Sequence, residues 1–239
     1  MNRATMLRDR IAPIAVSTSG GVQDAKPEYE FSPSLVTVSA PLSAAAESIR
    51  ALRAHVLTQH VQAGRRALAI CSPSVDVGCS FVAANLAVSL SQVGIKTLLV
   101  DADLRSPMID QLIRPSVAPS GLSGCLSDTE SWVGDYIDAE ILPNLSILYA
   151  GPPTVSAQEL LARESFEDVM NHCMREYEIV IVDTPPANAY ADARRVSNIL
   201  GYGLIVARRN RSLVADVKTL AIQLLDDQVG VIGTLMKAN

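Results

Sequence analysis

Aromatic residues make up only 4 % of this 239-residue chain, so its core has to be built from Ala, Val, Leu and Ile. Such a core suits a sheet covered by helices on both faces better than an aromatic-rich sandwich. Positive charge is not in excess: 20 Lys and Arg stand against 25 Asp and Glu. Without a basic face, a nucleic-acid partner is not expected. The four cysteines, Cys71, Cys79, Cys125 and Cys173, form no C-x-x-C pair. That spacing excludes a dense disulfide scaffold and suits a reducing cytoplasm. No run of 18 apolar residues occurs, so no membrane-spanning helix is expected. The opening MNRATMLRDRIAPIAV has a broken apolar run and no cleavage site, so it is not read as an export signal. A role at a membrane would therefore run through a partner.

What is present is globular: 49 % of residues are hydrophobic and 19 % charged, a balance that excludes a disordered chain. The length suits a single domain with an arm. Residues 1–38 are expected to form a flexible N-terminal arm, with Gly20-Gly21, Pro13, Pro27 and Pro33 and no apolar period. Residues 39–239 are expected to form the domain. A helix is predicted over 43–62, capped by Ser43 and stopped by Gly64, with Ile49, Leu52, Val56 and Leu57 as its apolar stripe. Beyond it, apolar runs at 67–71, 96–100, 145–150, 178–182, 202–208 and 231–236 alternate with helical stretches near 79–92, 108–114, 156–175, 190–200 and 213–227. This alternation predicts an α/β fold with a parallel sheet and right-handed crossovers. Ligands of such sheets sit beyond the carboxyl ends of the strands.

The strand ends carry the chemistry. After the first run comes Ser72-Pro-Ser-Val-Asp-Val-Gly78-Cys79-Ser80, placed where backbone N–H groups and a helix N-terminus cradle a phosphate. Against the phosphate-loop pattern G-x-x-x-x-G-K-[ST], Gly78 and Ser80 are in register, while Pro73 and Cys79 replace the first glycine and the lysine. The run at 96–100 leads into Asp101, Asp103 and Arg105, and the run at 178–182 into Asp183-Thr-Pro-Pro. One acid at a strand end is usually a helix cap. Three beside a phosphate loop match what a Mg²⁺–nucleotide site requires.

These segments resemble the bacterial tyrosine kinases (BY-kinases), relatives of the MinD and ParA ATPases that act in capsule and exopolysaccharide synthesis. The hydrophobic-D-x-D-x-R and hydrophobic-D-T-P-P segments are similar to the family's second and third nucleotide motifs. The likeness continues through FVAANLAVSLSQVGIKTLLVDADLR, GLSGCL, AGPP, QELL and ADARRVSNILGYGLIVAR, covering about residues 40–237. It implies a P-loop NTPase-like fold. It also implies a nucleotide site of Gly78, Cys79, Ser80, Arg105 and Lys237, with ATP or ADP as the ligand. Mg²⁺ would sit on Ser80, Asp101, Asp103 and Asp183, and any retained catalysis would use Asp101 and Asp103. Glu47, Arg50 and Arg53 are similar to the E-x-x-R-x-x-R motif that joins kinase domains into a ring. The implied partners are a membrane co-polymerase that sets polysaccharide chain length and further subunits of a homo- or hetero-oligomer.

The departures set the functional expectation. Cys79 stands at the loop lysine, and none of Lys26, Lys96, Lys218 or Lys237 lies in the loop's sequence. Lys237 occupies the place of the family's adenine-reading asparagine. The six tyrosines are dispersed, with Tyr202 the last, so the family's C-terminal acceptor cluster is not found. A pseudokinase that works by binding is expected, with an active autokinase using a non-standard loop as the alternative. A positioning ATPase would need a second loop lysine and a membrane helix or basic face. A thiol at a helix N-terminus should also have a lowered pKa, which leaves a redox role for Cys79 as a minor reading.

Overall fold

The computed structural model describes residues 28–128 and 132–238. A seven-stranded sheet forms the frame, built from Asp138–Leu142 (β5), Leu145–Leu148 (β6), Thr97–Asp101 (β3), Ile179–Asp183 (β7), Ala67–Cys71 (β2), Tyr202–Arg208 (β8) and Gly230–Lys237 (β9), in that spatial order. All neighbours are parallel except β5, which runs antiparallel to β6. That hairpin strand is absent from the sequence reading because its DAEIL is only half-buried and lies at an edge. The interior strands are buried along their whole length, as their unbroken apolar runs require.

Strand alternation divides the core in two. Ala67, Ala69 and Cys71 face Phe166, Met170, Val196 and Leu224, which belong to Glu164–Glu176 (α7), Asp192–Leu200 (α8) and Val214–Asp226 (α9). Leu68 and Ile70 face the opposite layer, made by Ala44–Val56 (α2), Cys79–Ser91 (α3) and Ile109–Leu112 (α4). The predicted helix over 43–62 is α2 plus a π-helical turn at Leu57–Val61; the Ser43 hydroxyl caps it by accepting from Ala46 N–H, 3.2 Å. The single helix predicted over 156–175 is two, Ala157–Ala162 (α6) and α7, broken at the extended Arg163. Arg163 there donates to the Leu126 carbonyl of Gly121–Ser127 (α5), 3.0 Å. Among the described residues no helix is long and apolar enough to cross a membrane.

The arm boundary expected at residue 38 is displaced. Residues 1–27 lie outside the described residues, but Tyr29–Phe31 (β1) pairs with Ile113–Pro115 (β4), and Val36–Ser39 (α1) follows. Leu35 is fully buried, and Asn85 on α3 explains why this segment docks. The Asn85 amide donates to the carbonyls of Ser34 and Phe81, and its oxygen accepts from the Thr37 N–H and hydroxyl. A proline-bearing sequence without periodicity hides such docking, since two buried side chains and one amide carry it. Replacing Asn85 by Ala strands the buried Thr37 donors, at a cost of about 2–3 kcal/mol. A drop of roughly 5–10 °C in Tm is expected, with faster proteolysis near residue 35. An unchanged melt would show that the segment's anchoring lies elsewhere.

Candidate functional site

The site is built at the carboxyl ends of β2, β3 and β7. After Cys71 the chain turns through residues 72–78 and enters α3, with Gly78 as the cap at φ 100° and Asp76 at φ 58°. No side chain caps α3, so its first N–H groups point into the loop unsatisfied by the protein's own side chains. The segment after β7 braces the loop: Ala187 N–H donates to Ser72 O, 2.9 Å, and Asn188 N–H to Pro73 O, 3.1 Å. The Thr184 hydroxyl donates to Ile70 O, 2.9 Å. Uncapped N–H groups at the start of a 13-residue helix are groups that an anion can satisfy.

Parallel pairing sets Asp101 directly beside Asp183. The two differ in environment. Asp101 accepts from the N–H groups of Asp103, Met108 and Ile109, 3.0–3.2 Å, so its oxygens organise the turn after β3. Burial still pushes its pKa up to about 7. Asp183 is 1 % exposed, and neither oxygen accepts a hydrogen bond of good geometry. Burial first and the Asp101 charge second raise its pKa well above the carboxylate range; the nearby Ser80 hydroxyl opposes this only in part. Asp103 accepts from the N–H groups of Arg105 and Ser106, 3.2 and 3.0 Å, through one oxygen. Among the described residues no group of three His, Cys, Asp or Glu side chains is arranged to hold a metal by itself. The orphaned Asp183 oxygens beside Ser80 suit Mg²⁺, which binds through one or two carboxylates with phosphate and water completing its shell.

Two of the expected nucleotide contacts sit differently from the sequence reading. Arg105 Nε bonds Asp192 at 2.8 Å, and its guanidinium stacks 4.3 Å from the Tyr190 ring. Asp192 is 2 % exposed, so removing Arg105 would leave a buried carboxylate without its charged partner. Lys237 is absent from the loop's sequence yet reaches it in space, its Nζ lying 4.3 Å from the Phe81 ring centre. Neither Asp192 nor Tyr190 stood out in the sequence. An acid opening a helix is the only signal either offered.

The lowered Cys79 pKa expected of a helix N-terminus is overturned. Cys79 is 9 % exposed, and burial, followed by the Asp183 charge, raises its thiol well above the ordinary value. Desolvation in the core outweighs the helix dipole, whose effect is worth at most about 2 kcal/mol. All four cysteines are free and buried. Of the helix motif, Glu47 and Arg50 pair within α2, Arg50 Nε to Glu47 at 2.8 Å, and Arg50 also donates to Pro41 O. Arg53 instead bonds Ser89 on α3, 3.1 Å to its carbonyl. Glu47 is exposed, while Arg50 and Arg53 are both half-buried and both bonded within the chain.

A braced, uncapped loop at the head of a buried helix, with acids on the neighbouring strands, defines a P-loop NTPase-like protein. No protein-family model matches the chain. Over 194 residues it is 30 % identical to CapB of Staphylococcus aureus, which carries a tyrosine-protein kinase assignment, covering 81 % of this chain and 84 % of that one. The chain belongs to the bacterial tyrosine kinase family. It spans about a quarter of the length of the longer relatives EpsB and Wzc, also named as tyrosine-protein kinases. The kinase domain of the Escherichia coli tyrosine kinase ETK superposes with a TM-score of 0.77 at 27 % identity, over 85 % of this chain and 79 % of that one. The likeness to the septum-site protein MinD of Pyrococcus horikoshii, TM-score 0.61 at 20 % identity over 72 % of this chain and 69 % of that one, concerns the fold.

Two outcomes follow from these environments. Asp101 and Asp183 hold protons in the folded state that the unfolded chain releases near its ordinary carboxylate pKa of about 4. Without metal, stability should therefore fall as pH rises from about 4 through about 7. Thermal melts should show a lower Tm at about pH 8 than at about pH 5. Millimolar Mg²⁺ should recover part of the loss at the higher pH, and Asp183→Asn should flatten the pH dependence. A pH-indifferent melt that ignores Mg²⁺ would contradict the account. The second outcome concerns the thiols: at about pH 8 Cys79 should react with a thiol reagent as slowly as fully buried Cys71, all four reacting at once only after denaturation. Selective fast labelling of Cys79 would restore the low-pKa reading.

Proposed function

We propose that this chain is a nucleotide-binding pseudokinase component of a capsule, exopolysaccharide or adhesin synthesis and export system, acting at the inner face of the membrane by binding a polysaccharide co-polymerase. Its family membership supports the system, and the observation that carries the pseudokinase reading is Cys79. A buried neutral thiol stands where the transferring phosphoryl group needs a preorganised positive charge, and losing one such stabiliser costs on the order of 10²–10³ in rate. The loop N–H groups of Gly78, Cys79 and Ser80 would hold the phosphates of ATP or ADP, and Ser80, Asp103 and Asp183 would hold Mg²⁺ together with a phosphate oxygen. Asp101 shapes that pocket through its backbone bonds, and Arg105 does so through Asp192.

The pair of exposed Glu47 and half-buried Arg50 supplies the docking face for a like subunit or a kinase-like partner. Their charges suit reciprocal ion pairing across an interface. Changing both to Ala, with Arg53 kept for its Ser89 bonds, should lower the mass seen by light scattering or abolish capture of the co-polymerase, in a protein that still melts cooperatively. Unchanged association in both assays would return the pair to an ordinary solvated helix face.

One observation favours a second reading, an ATP-dependent tyrosine autokinase with a rearranged loop: the approach of Lys237 to Phe81 on α3. Incubation with labelled ATP and Mg²⁺ separates the two. The pseudokinase reading expects the tyrosines to stay unmodified, and robust tyrosine labelling would replace it with the autokinase.

A further inference from the structure

We propose that Lys237, reaching over the loop from the end of β9, binds the β-phosphate of a nucleoside di- or triphosphate, holding bound nucleotide without restoring at residue 79 the charge that transfer of the terminal phosphoryl group needs. The inference rests on the nucleotide site proposed above and assigns Lys237 to the phosphates, not to the adenine edge that the family resemblance implied.

Sheet order is the first support. Strands β2, β8 and β9 are consecutive neighbours, so the loop that follows β2 shares one end of the sheet with the last residues of β8 and β9. There Arg208 and Lys237 are register partners, and the end of β9 is held by Arg209 N–H donating to Lys237 O, 3.0 Å. The Lys237 side chain then crosses above the loop. A Cβ built on Gly78 would stand 2.7 Å from Lys237 Nζ and 3.2 Å from its Cδ. Glycine takes φ 100° there without strain, and its lack of a side chain lets the lysine lie this close to the loop backbone. The Phe81 ring, one turn into α3, offers the ammonium a π-face at 4.3 Å.

Charge balance is the second support. Lys237 stands at the positive end of α3, where a cation is repelled by the helix dipole. Arg208 adds a second cation: it donates to Asp76 O in the loop, 3.1 Å, while its Nε is buried without a partner. Among the described residues no carboxylate pairs with Lys237. Burial and the Arg208 charge both lower its pKa. Two cations and an uncapped helix N-terminus meet at one loop, an arrangement that an anion would stabilise. The orphaned Asp183 oxygens supply the independent sign of a ligand, on the cation side of the same site.

Calorimetric titration with Mg-ADP and with AMP, on wild type and Lys237→Met, tests the assignment. Lys237→Met should weaken Mg-ADP by about 10–100-fold, the worth of one charged hydrogen bond, and leave AMP, which has no β-phosphate, about as it was. The ligand-free melt of Lys237→Met should be no lower than that of wild type, because the change removes a repelled cation; a merely structural lysine would lower it. Unchanged Mg-ADP affinity in Lys237→Met, or equal loss of ADP and AMP, overturns the assignment and leaves the nucleotide site standing. Failure of the wild-type protein to bind Mg-ADP at millimolar concentration overturns the nucleotide site itself, and the assignment with it.

Discussion

Asp101 and Asp183 lie side by side on neighbouring parallel strands, buried at the centre of the sheet, and the rest of the site is arranged around the cost of that pairing. Like charges this close in a poorly solvated place cannot both ionise cheaply. The protein answers differently for each. Asp101 is surrounded by three backbone N–H groups and becomes an organiser of the turn after β3. Asp183 is given nothing of comparable geometry. A group left so exposed electrostatically, with a hydroxyl at Ser80 and a phosphate cradle next to it, is intelligible as half of a metal–phosphate site.

The positive half of the site is arranged by the same sheet. An uncapped helix N-terminus, Lys237 and Arg208 meet at the ends of β2, β8 and β9, while the acids stand at the ends of β3 and β7. Opposite charges are thus laid out along one edge with the loop between them. Neither half is balanced by the protein alone, and each is what one end of a Mg²⁺-bound polyphosphate would satisfy. Cys79 sits beneath this edge as a packing residue. Its burial explains why it can be neutral and unreactive while the loop above it keeps its shape.

Much of this was legible in the sequence. The strand runs 67–71 and 202–208 match β2 and β8 residue for residue, because buried parallel strands are apolar throughout and need no periodicity to be seen. The loop and the acids Asp101, Asp103 and Asp183 were placed by the simple rule that ligands gather at strand ends. What escaped were contacts between residues far apart in sequence. The Arg105–Asp192 pair spans 87 positions, and the approach of Lys237 to Gly78 depends on β9 lying beside β8. Strand order is a property of the whole sheet and leaves no local mark. The docking of residues 28–39 escaped for a related reason: its trace is Asn85, a buried amide among the mostly apolar residues of α3.

The claim that organises this account is that the edge carries two unbalanced halves completed by one Mg²⁺-nucleotide. A crystal structure of the protein grown with Mg-ADP tests it most directly. The account places the β-phosphate between the loop at 72–80 and Lys237 Nζ within hydrogen-bond distance, with Mg²⁺ on Ser80 and facing Asp183. A nucleotide bound elsewhere, or a phosphate in the loop with Lys237 turned away to solvent, would contradict it.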